Sequence, residues 1–501
     1  MTAATLPARP PRAVARVLVR PAAGRLLWIE IKRNAVLWVL PLLALLVYFD
    51  TYRSVSGYPP IWTVRALAVP DRLLVDFAAF AGGFSAWAGS REGRRKTGDL
   101  LGTTARPAWA RQLAALAGTM FWLVLAFLAA VAVLYIQIAR VTAWGGPPLW
   151  PVAVGLVALV TICVVGFTAG ALFPGRFTAP LVAVGAFVLH IVGTHAVNDP
   201  SMPNLHDLLS LGTNVPPYDL GVFYRVPLDV PIAQVMFMGG IAVAAVGVLA
   251  VSSALRQVAG RGPSAGRGPS AGGGTGRWLR GVSVALVAAG VAASGTAYGL
   301  TGTAKLTAAG WDIPALHDAA AGRPVPYTPD CAKTGFEVCV HPAFGTYLGA
   351  VAAALDPVAA EIAGLPGAPV RAEQVSYGDP FYGSLILGAP PVYKFTVTIT
   401  WVNPAAAGPL VQGGLVSAFV GGPAYEQSGN LGPAQQAVAS ALLTAAGVSA
   451  QAQALNGPPP APQAAAAANR LAALSPGARH AWLAAHLPAL RAGHLTPAQI
   501  P

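Results

Sequence analysis

The stretch QLAALAGTMFWLVLAFLAAVAVLYIQIA, residues 112–139, contains no Asp, Glu, Lys or Arg. A helix needs about 20 consecutive apolar residues to cross the hydrocarbon core of a bilayer, and this run exceeds that. Just before it lies its opposite, SREGRRKTGDLLGTTARP, residues 90–107, a densely charged segment wedged between two apolar runs. An apolar run too long for a soluble helix, bounded by a basic loop, is the pattern of a multi-pass membrane protein.

Working outward, the same pattern recurs. Ala35–Tyr52 and Leu73–Ser90 precede the charged segment, and Trp150–Phe173, Ala179–Ala196, Ile232–Leu255 and Val282–Leu300 follow it. That makes seven expected spans. The whole chain agrees, being 55% hydrophobic and only 10% charged, with mean hydropathy +0.57, where a soluble domain carries roughly 25% charged residues. The net charge of +13 sits wholly within residues 1–301, and the remainder is nearly balanced. A basic excess confined to membrane-proximal loops points to anionic lipid at the inner leaflet. It argues against nucleic acid, which wants a basic patch on a soluble domain. Arg greatly outnumbers Lys, and Ala, Gly and Pro abound, as in a GC-rich bacterial genome.

Lys and Arg concentrate in cytoplasmic loops, so their distribution sets the orientation. With the N-terminus inside, the inner loops hold Arg9, Arg12, Arg16, Arg20, Arg25, Lys32 and Arg33, then Arg91, Arg94, Arg95, Lys96, Arg106 and Arg111, then Arg176, then Arg256, Arg261, Arg267, Arg277 and Arg280. The outer loops keep only Arg53, Arg65, Arg72, Arg140 and Arg225, and the outer stretch 197–231 carries Asp199, Asp207, Asp219 and Asp229. The N-terminal basic region is too long for a cleavable signal, and no A-x-A-like site follows the first apolar run. Seven spans place the region from 302 onward outside the cell. Cys331 and Cys339 lie close together in that region, and an oxidising compartment favours a disulfide between them. Closing so short a loop contributes about 2–3 kcal/mol. The alternative is two unrelated reduced thiols. Two thiols and His341 at this spacing lack the short knuckle and fourth ligand of a zinc site, so no metal is expected.

The external region reads as α+β. Phe395, Val397, Ile399 and Trp401 alternate with threonines in Tyr393–Val402, the pattern of a half-buried strand. Tyr347–Ala363 and Ala434–Ala446 read as helices. Ser475-Pro476 is a helix start leading into Arg479–Leu487, with Pro488 expected to bend or end it. Gly457–Ala473, rich in Pro and Ala, reads as loop, helix or both. His341, His480, His486 and His494 read as scattered core or surface residues. Ionisable groups within the membrane are functional candidates. Asp76 and His190 are the ones to consider, although Asp76 beside Arg72 also fits an interfacial pair and His190 a simple interhelical hydrogen bond. Gly82-Gly83 suits close helix packing.

The six-span module resembles the permease subunit of type 2 ABC transporters. Ala22–Asn34 leads into the first span as that family's amphipathic elbow helix does. Arg91-Glu92-x4-Thr97-Gly98-Asp99-Leu100-Leu101 through Pro107 is similar to the family's Arg-Glu…Gly-Thr…Leu-Leu…Pro stretch. Two details depart: Arg94 and Arg95 stand where a second acid is common, and Thr97-Gly98 reverses the usual order. The resemblance covers about residues 20–256, the region from 302 onward is not part of that family's common core, and the residue patterns and the resemblance together give the expected organisation. Residues 1–34 are the cytoplasmic N-terminus and elbow, 35–255 the six-span module, 256–280 a flexible Gly/Pro/Arg linker, 281–301 a seventh tethering span, and 302–501 an α+β extracytoplasmic domain. The expected fold is thus an α-helical integral membrane protein, a six-span module plus a seventh tethering span, carrying a C-terminal α+β domain.

The implied function is the translocation path of an ATP-driven exporter in a bacterial plasma membrane, built with a second permease copy. Its docking loop for a separate ATPase is Arg91, Glu92, Thr97, Asp99, Leu100 and Leu101. Glu92 and Asp99 would meet basic residues of the ATPase, or neutralise their own neighbours. The chain lacks a G-x-x-x-x-G-K-[ST] phosphate loop and H-E-x-x-H, so it is expected to be neither ATPase nor zinc peptidase, and to need no cofactor. The rival reading is a membrane-anchored assembly or sensory protein whose working part is the external domain.

Overall fold

The computed structural model describes residues 19–95, 108–142, 144–195, 208, 221–225, 229–259, 273–300, 305–307, 310–312, 325–333, 335–376, 379, 383–386, 390–396, 404–428, 430–454 and 459–501. The chain is mostly helical, with a small mixed sheet towards the C-terminus.

The first helix, α1 (Val19–Lys32), stops at Asn34. The Asn34 side chain accepts a hydrogen bond from the Val36 amide at 3.0 Å and so caps a short 3-10 turn, Ala35–Trp38. Pro41, which has no N–H to donate to the preceding turn, stands in the first turn of α2 (Leu40–Val47). The chain therefore bends by 53° between Gly24–Trp38 and Leu40–Ser56. A continuous span over Ala35–Tyr52 was expected. The structure instead has a 3-10 turn, a short α-helix and a π-helical segment, Tyr48–Tyr52. A second π-helical segment, Val69–Leu73, leads into α3 (Leu74–Arg94).

Then follow α4 (Ala108–Ala139), α5 (Trp150–Leu172), α6 (Thr178–His195), α7 (Asp229–Ala259) and α8 (Gly273–Leu300). By length and composition six helices are suited to crossing a membrane, or seven when the bent pair is one span. One of the six, Pro342–Ile362, lies in the C-terminal domain and is none of the expected spans; conversely, α6 has a shorter apolar stretch, Thr178–Ile191. The expected linker over 256–280 is helical at both ends, through Ala259 and again from Gly273, and its centre falls outside the described residues.

Helix contacts are close where glycine permits. Gly166 and Gly170 on α5 face Gly82 and Ala86 on α3. Hydroxyls add cross-links: Thr161 Oγ1 donates to the Met238 carbonyl at 2.9 Å, and Ser253 Oγ to Gln112 Oε1 at 2.8 Å. The helix of the seventh expected span, α8, is more than a tether. Gly240 of α7 packs on Gly290 and Ser294 of α8, and Ser294 Oγ donates to the Phe237 carbonyl at 2.9 Å. Cys163 is fully buried beside α3 and α4 residues as an apolar group.

After the hairpin β1 (Lys305–Thr307) and β2 (Gly310–Asp312), the domain forms a sheet of order β3-β4-β5-β7-β6. Its strands are β3 (Asp330–Lys333), β4 (Glu337–Val340), β5 (Arg371–Gln374), β6 (Leu385–Ile386) and β7 (Val392–Phe395). The β4–β5 pair is parallel, so it needs a crossover, which α9 (Gly345–Ile362) supplies. The residues of α9 that face the sheet and neighbouring helices, Tyr347, Val351, Leu355, Val358 and Ile362, are buried. The expected strand over Tyr393–Val402 is seen as β7, and residues 397–403 lie outside the described residues.

Four longer helices, with the single turn Ala450–Gln453 between the second and third, follow the sheet among the described residues: α10 (Pro404–Ser428), α11 (Pro433–Ala445), α12 (Pro462–Ala473) and α13 (Pro476–Arg491). The structure gives α10 where nothing was expected, because its many Gly and Pro residues argue against a helix. Gly422 at φ +59° kinks it. Gly414 leaves room for the Tyr393 hydroxyl. The Ser475 side chain caps α13 by accepting from the Ala478 amide at 3.4 Å. Pro488 neither ends nor interrupts α13, which runs on to Arg491. So near the C-terminus its missing N–H costs one bond only, and the Ala492 amide still reaches the Pro488 carbonyl.

Candidate functional site

Two clusters lie at opposite ends of the helical bundle. At the end bearing the basic loops, Arg91 in the last turn of α3 forms a forked ion pair with Glu30 of α1, at 2.6 and 3.1 Å. Its neighbour Glu92 meets Arg111 in the first turn of α4 at 3.4 Å. Gly93 lies against Pro174, which follows α5, and Gly118 of α4 lies against Glu30. The Trp122 indole donates to the Ile31 carbonyl at 2.8 Å, so α1 is fastened along α4. Arg91 and Glu92 thus both have partners within the chain. Thr97, Asp99, Leu100 and Leu101 lie outside the described residues.

Of the intramembrane candidates, Asp76 is buried and accepts a hydrogen bond from Thr51 Oγ1 at 2.9 Å, which joins α3 to the first π-helical segment. His190 Nε2 donates to the Asp71 carbonyl at 3.3 Å.

At the other end, the C-terminal domain is seated on the loops. Ile61, Val222, Phe223 and Tyr224 belong to one buried apolar cluster with the domain's core, and Val64 and Trp144 pack against it. These residues come from three different loops, all expected outside. The centre of the seam is His341, which is fully buried. Tyr327 is 4.2 Å away, centroid to centroid, Trp144 4.9 Å and Phe223 5.0 Å. The His341 Nδ1 accepts from the Ala343 amide at 3.0 Å, and its own amide donates to Gln374 Oε1 at 3.0 Å. Among the described residues its Nε2 has no hydrogen-bond partner.

Burial drives the His341 pKa down to about 4, because a charged imidazolium here would lose its water. Of the rings around it only the Tyr327 phenol titrates. That phenol is pushed up to about 12, mainly by burial and further by Glu373 and Asp379. A group whose folded pKa is depressed contributes stability above its unfolded pKa. That contribution disappears as pH falls from about 6.5 towards about 4. The seam should therefore weaken by up to about 3 kcal/mol over that interval, and His341→Phe should abolish the dependence. Proteolysis of the full-length protein at the seam across this pH range measures it. A wild-type profile as flat as that of the variant would refute the assignment.

The sequence missed this cluster because its rings come from residues 144, 223, 327 and 341, and no local spacing connects them. It also missed Glu30 as the partner of Arg91. The disulfide between Cys331 and Cys339 is present, at directly opposed positions of β3 and β4. Glu337 comes close to both sulfurs, but they are bonded to each other and offer no thiolate to a metal.

Among the described residues about six helices are long and apolar enough to cross a membrane, a transporter-like architecture that suits a multi-pass membrane protein. Comparison with protein-family models, with curated proteins and with solved structures finds no match.

Proposed function

We propose that this chain is the membrane-spanning permease subunit of an ATP-driven export system of the type 2 ABC kind. It sits in a bacterial plasma membrane with its N-terminus inside and its C-terminal domain outside. It forms the path with a second permease copy and takes its work from separate ATPase chains. The observation that carries this reading is the fastening of α1 to both sides of the charged loop. Residues 96–107 follow α3, whose last turn is tied to α1 through Arg91–Glu30, and precede α4, which is fastened to α1 through Trp122 and the Ile31 carbonyl and whose first turn is tied to α3 through Arg111–Glu92. A pull on this loop would move α1 and the start of α4 together. That shifts the balance between two bundle states by the difference in ATPase affinity for them. Since Arg91 and Glu92 are engaged within the chain, contact with the ATPase falls to Asp99, Leu100 and Leu101. The His341 seam counts against the rival reading of a merely tethered sensory domain.

The test uses the tagged full-length protein purified from its native membrane. A P-loop ATPase should co-purify. The double substitution Asp99→Lys/Leu100→Asp should reduce its retention at least tenfold, roughly what reversing a desolvated interfacial charge costs. Thermal unfolding of the permease should not change. Undiminished retention would rule the docking loop out, and the absence of any nucleotide-hydrolysing partner would rule out the transporter reading.

A further inference from the structure

The segment Val325–Lys333 is a strap between the bundle and the domain. At its start the Val325 amide donates to the Phe223 carbonyl at 2.7 Å. In its middle the Tyr327 ring lies tilted against His341, 4.2 Å away centroid to centroid, and meets Phe223 edge-on at 5.7 Å. Its end is β3, an edge strand whose residues are mostly exposed and whose pairing is with β4 alone, across four residue pairs. So short an edge strand with little buried apolar surface is marginal without a further restraint. The restraint is the bond from Cys331 to Cys339. Cys331 stands four residues after Tyr327, and Cys339 two residues before His341. The disulfide therefore clamps together the two strands whose flanks carry the contacting rings of the seam.

The two sulfurs differ in access. Cys331 is exposed, whereas Cys339 is buried. The nearby Glu337 carboxylate, which would repel an approaching thiolate, is drawn to Lys333 Nζ at 3.5 Å.

We propose that Cys331–Cys339 is a reducible site for an extracytoplasmic dithiol, and that its reduction releases the strap and unseats the C-terminal domain from the outer loops. One thiolate of the dithiol attacks Cys331 Sγ, and Cys339 leaves as a thiolate and takes a proton. The second thiol of the reductant then attacks its own sulfur in the mixed disulfide. Cys331 leaves and is protonated, and the reductant departs as a disulfide. Two electrons and two protons have moved from the dithiol to the two cysteines. The inference is independent of whether the bundle transports anything.

Hydrogen–deuterium exchange of the full-length protein in lipid nanodiscs, before and after treatment with a thioredoxin-type dithiol, tests it. The Val325 amide and the β3 amides should exchange at least about tenfold faster after reduction, while α9 and α11 keep their protection. The Cys331→Ser/Cys339→Ser variant should show the fast pattern from the start and should not respond to reductant. Three results would overturn the proposal: a disulfide that the dithiol leaves intact in the folded protein, unchanged Val325 protection in the double variant, or loss of protection throughout α9 and α11, which would make the bond a support for the whole domain.

Discussion

Arg479→Met should destabilise the C-terminal domain by about 3–5 kcal/mol, the cost of breaking a buried ion pair from one side. Arg479 is 4% exposed. Its Nε and Nη2 both donate to Glu361 Oε2, at 3.1 and 2.6 Å. Its Nη1 donates to the carbonyls of Ala472 and Leu474, at 3.3 and 3.0 Å. One guanidinium thus satisfies the end of α12, holds the start of α13 and joins both to α9. Methionine fills much of the same volume but leaves a carboxylate and two carbonyls without donors. The side chain of Glu361 retains 21% exposure, so water can reach part of it, which favours the lower end of the range. The double variant Arg479→Met/Glu361→Leu should lose less than the sum of the single losses, since the orphaned charge has gone. Thermal unfolding of the full-length protein followed by proteolysis of α12–α13 reads all three. A loss below about 1 kcal/mol in Arg479→Met, the range of a surface pair, would show that this junction is not held electrostatically.

That pair illustrates what the sequence could and could not reveal. The Ser475 cap and the Pro at the first helical position of α13 are local signals, and both are used as expected. The identity of Arg479's partner is not local, since Glu361 lies on another helix far away in the chain. The same division runs through the bundle. Apolar run length located α5 to within a residue and the end of α4, which begins four residues earlier than expected, because a run suited to crossing a bilayer is set by its length regardless of neighbours. It failed where backbone chemistry intervenes. Asn34 and Pro41 divide the first run into separate pieces, and a window of mean hydropathy registers neither a side-chain cap nor a missing N–H. In α10 the failure has the opposite sign. Glycines that disfavour an isolated helix are tolerated because Gly408 and Gly414 let Ala354 and Tyr393 approach closely, and tertiary contact outweighs propensity. At the candidate sites, the residues of the charged loop could be picked out by their type, but Arg91 and Glu92 turned out to have intramolecular partners. The aromatic seam around His341 had no sequence signal, since it exists only once three loops converge.

Gly170→Ala should disrupt the bundle, and a single methyl group is enough. A Cβ at Gly170 would run into the Ala86 carbonyl of α3, and one at Gly166 would stand 2.7 Å from the Gly82 carbonyl. In the other direction, a Cβ at Gly89 would meet the Phe167 carbonyl of α5. The obstacle in each case is main chain, so no rotamer change can relieve it, and the helices must separate along this seam. Overpacking a core where side chains can adjust costs typically about 1–3 kcal/mol, and here the cost should exceed about 3 kcal/mol. Separation would also loosen the contacts that depend on close approach, among them the cluster of Phe77, Phe127 and Cys163. Gly185 on α6 provides the control. Nothing lies within 4 Å of a Cβ placed there, so even Gly185→Leu should leave the protein recoverable and its melting temperature close to wild type. The measurement is the folded yield and melting temperature of the two variants side by side in detergent. If Gly170→Ala behaved like wild type, α3 and α5 could not be packed as closely as described. If Gly185→Leu were the more damaging change, α6 would have to lie against another surface, with a neighbour where this structure leaves open space.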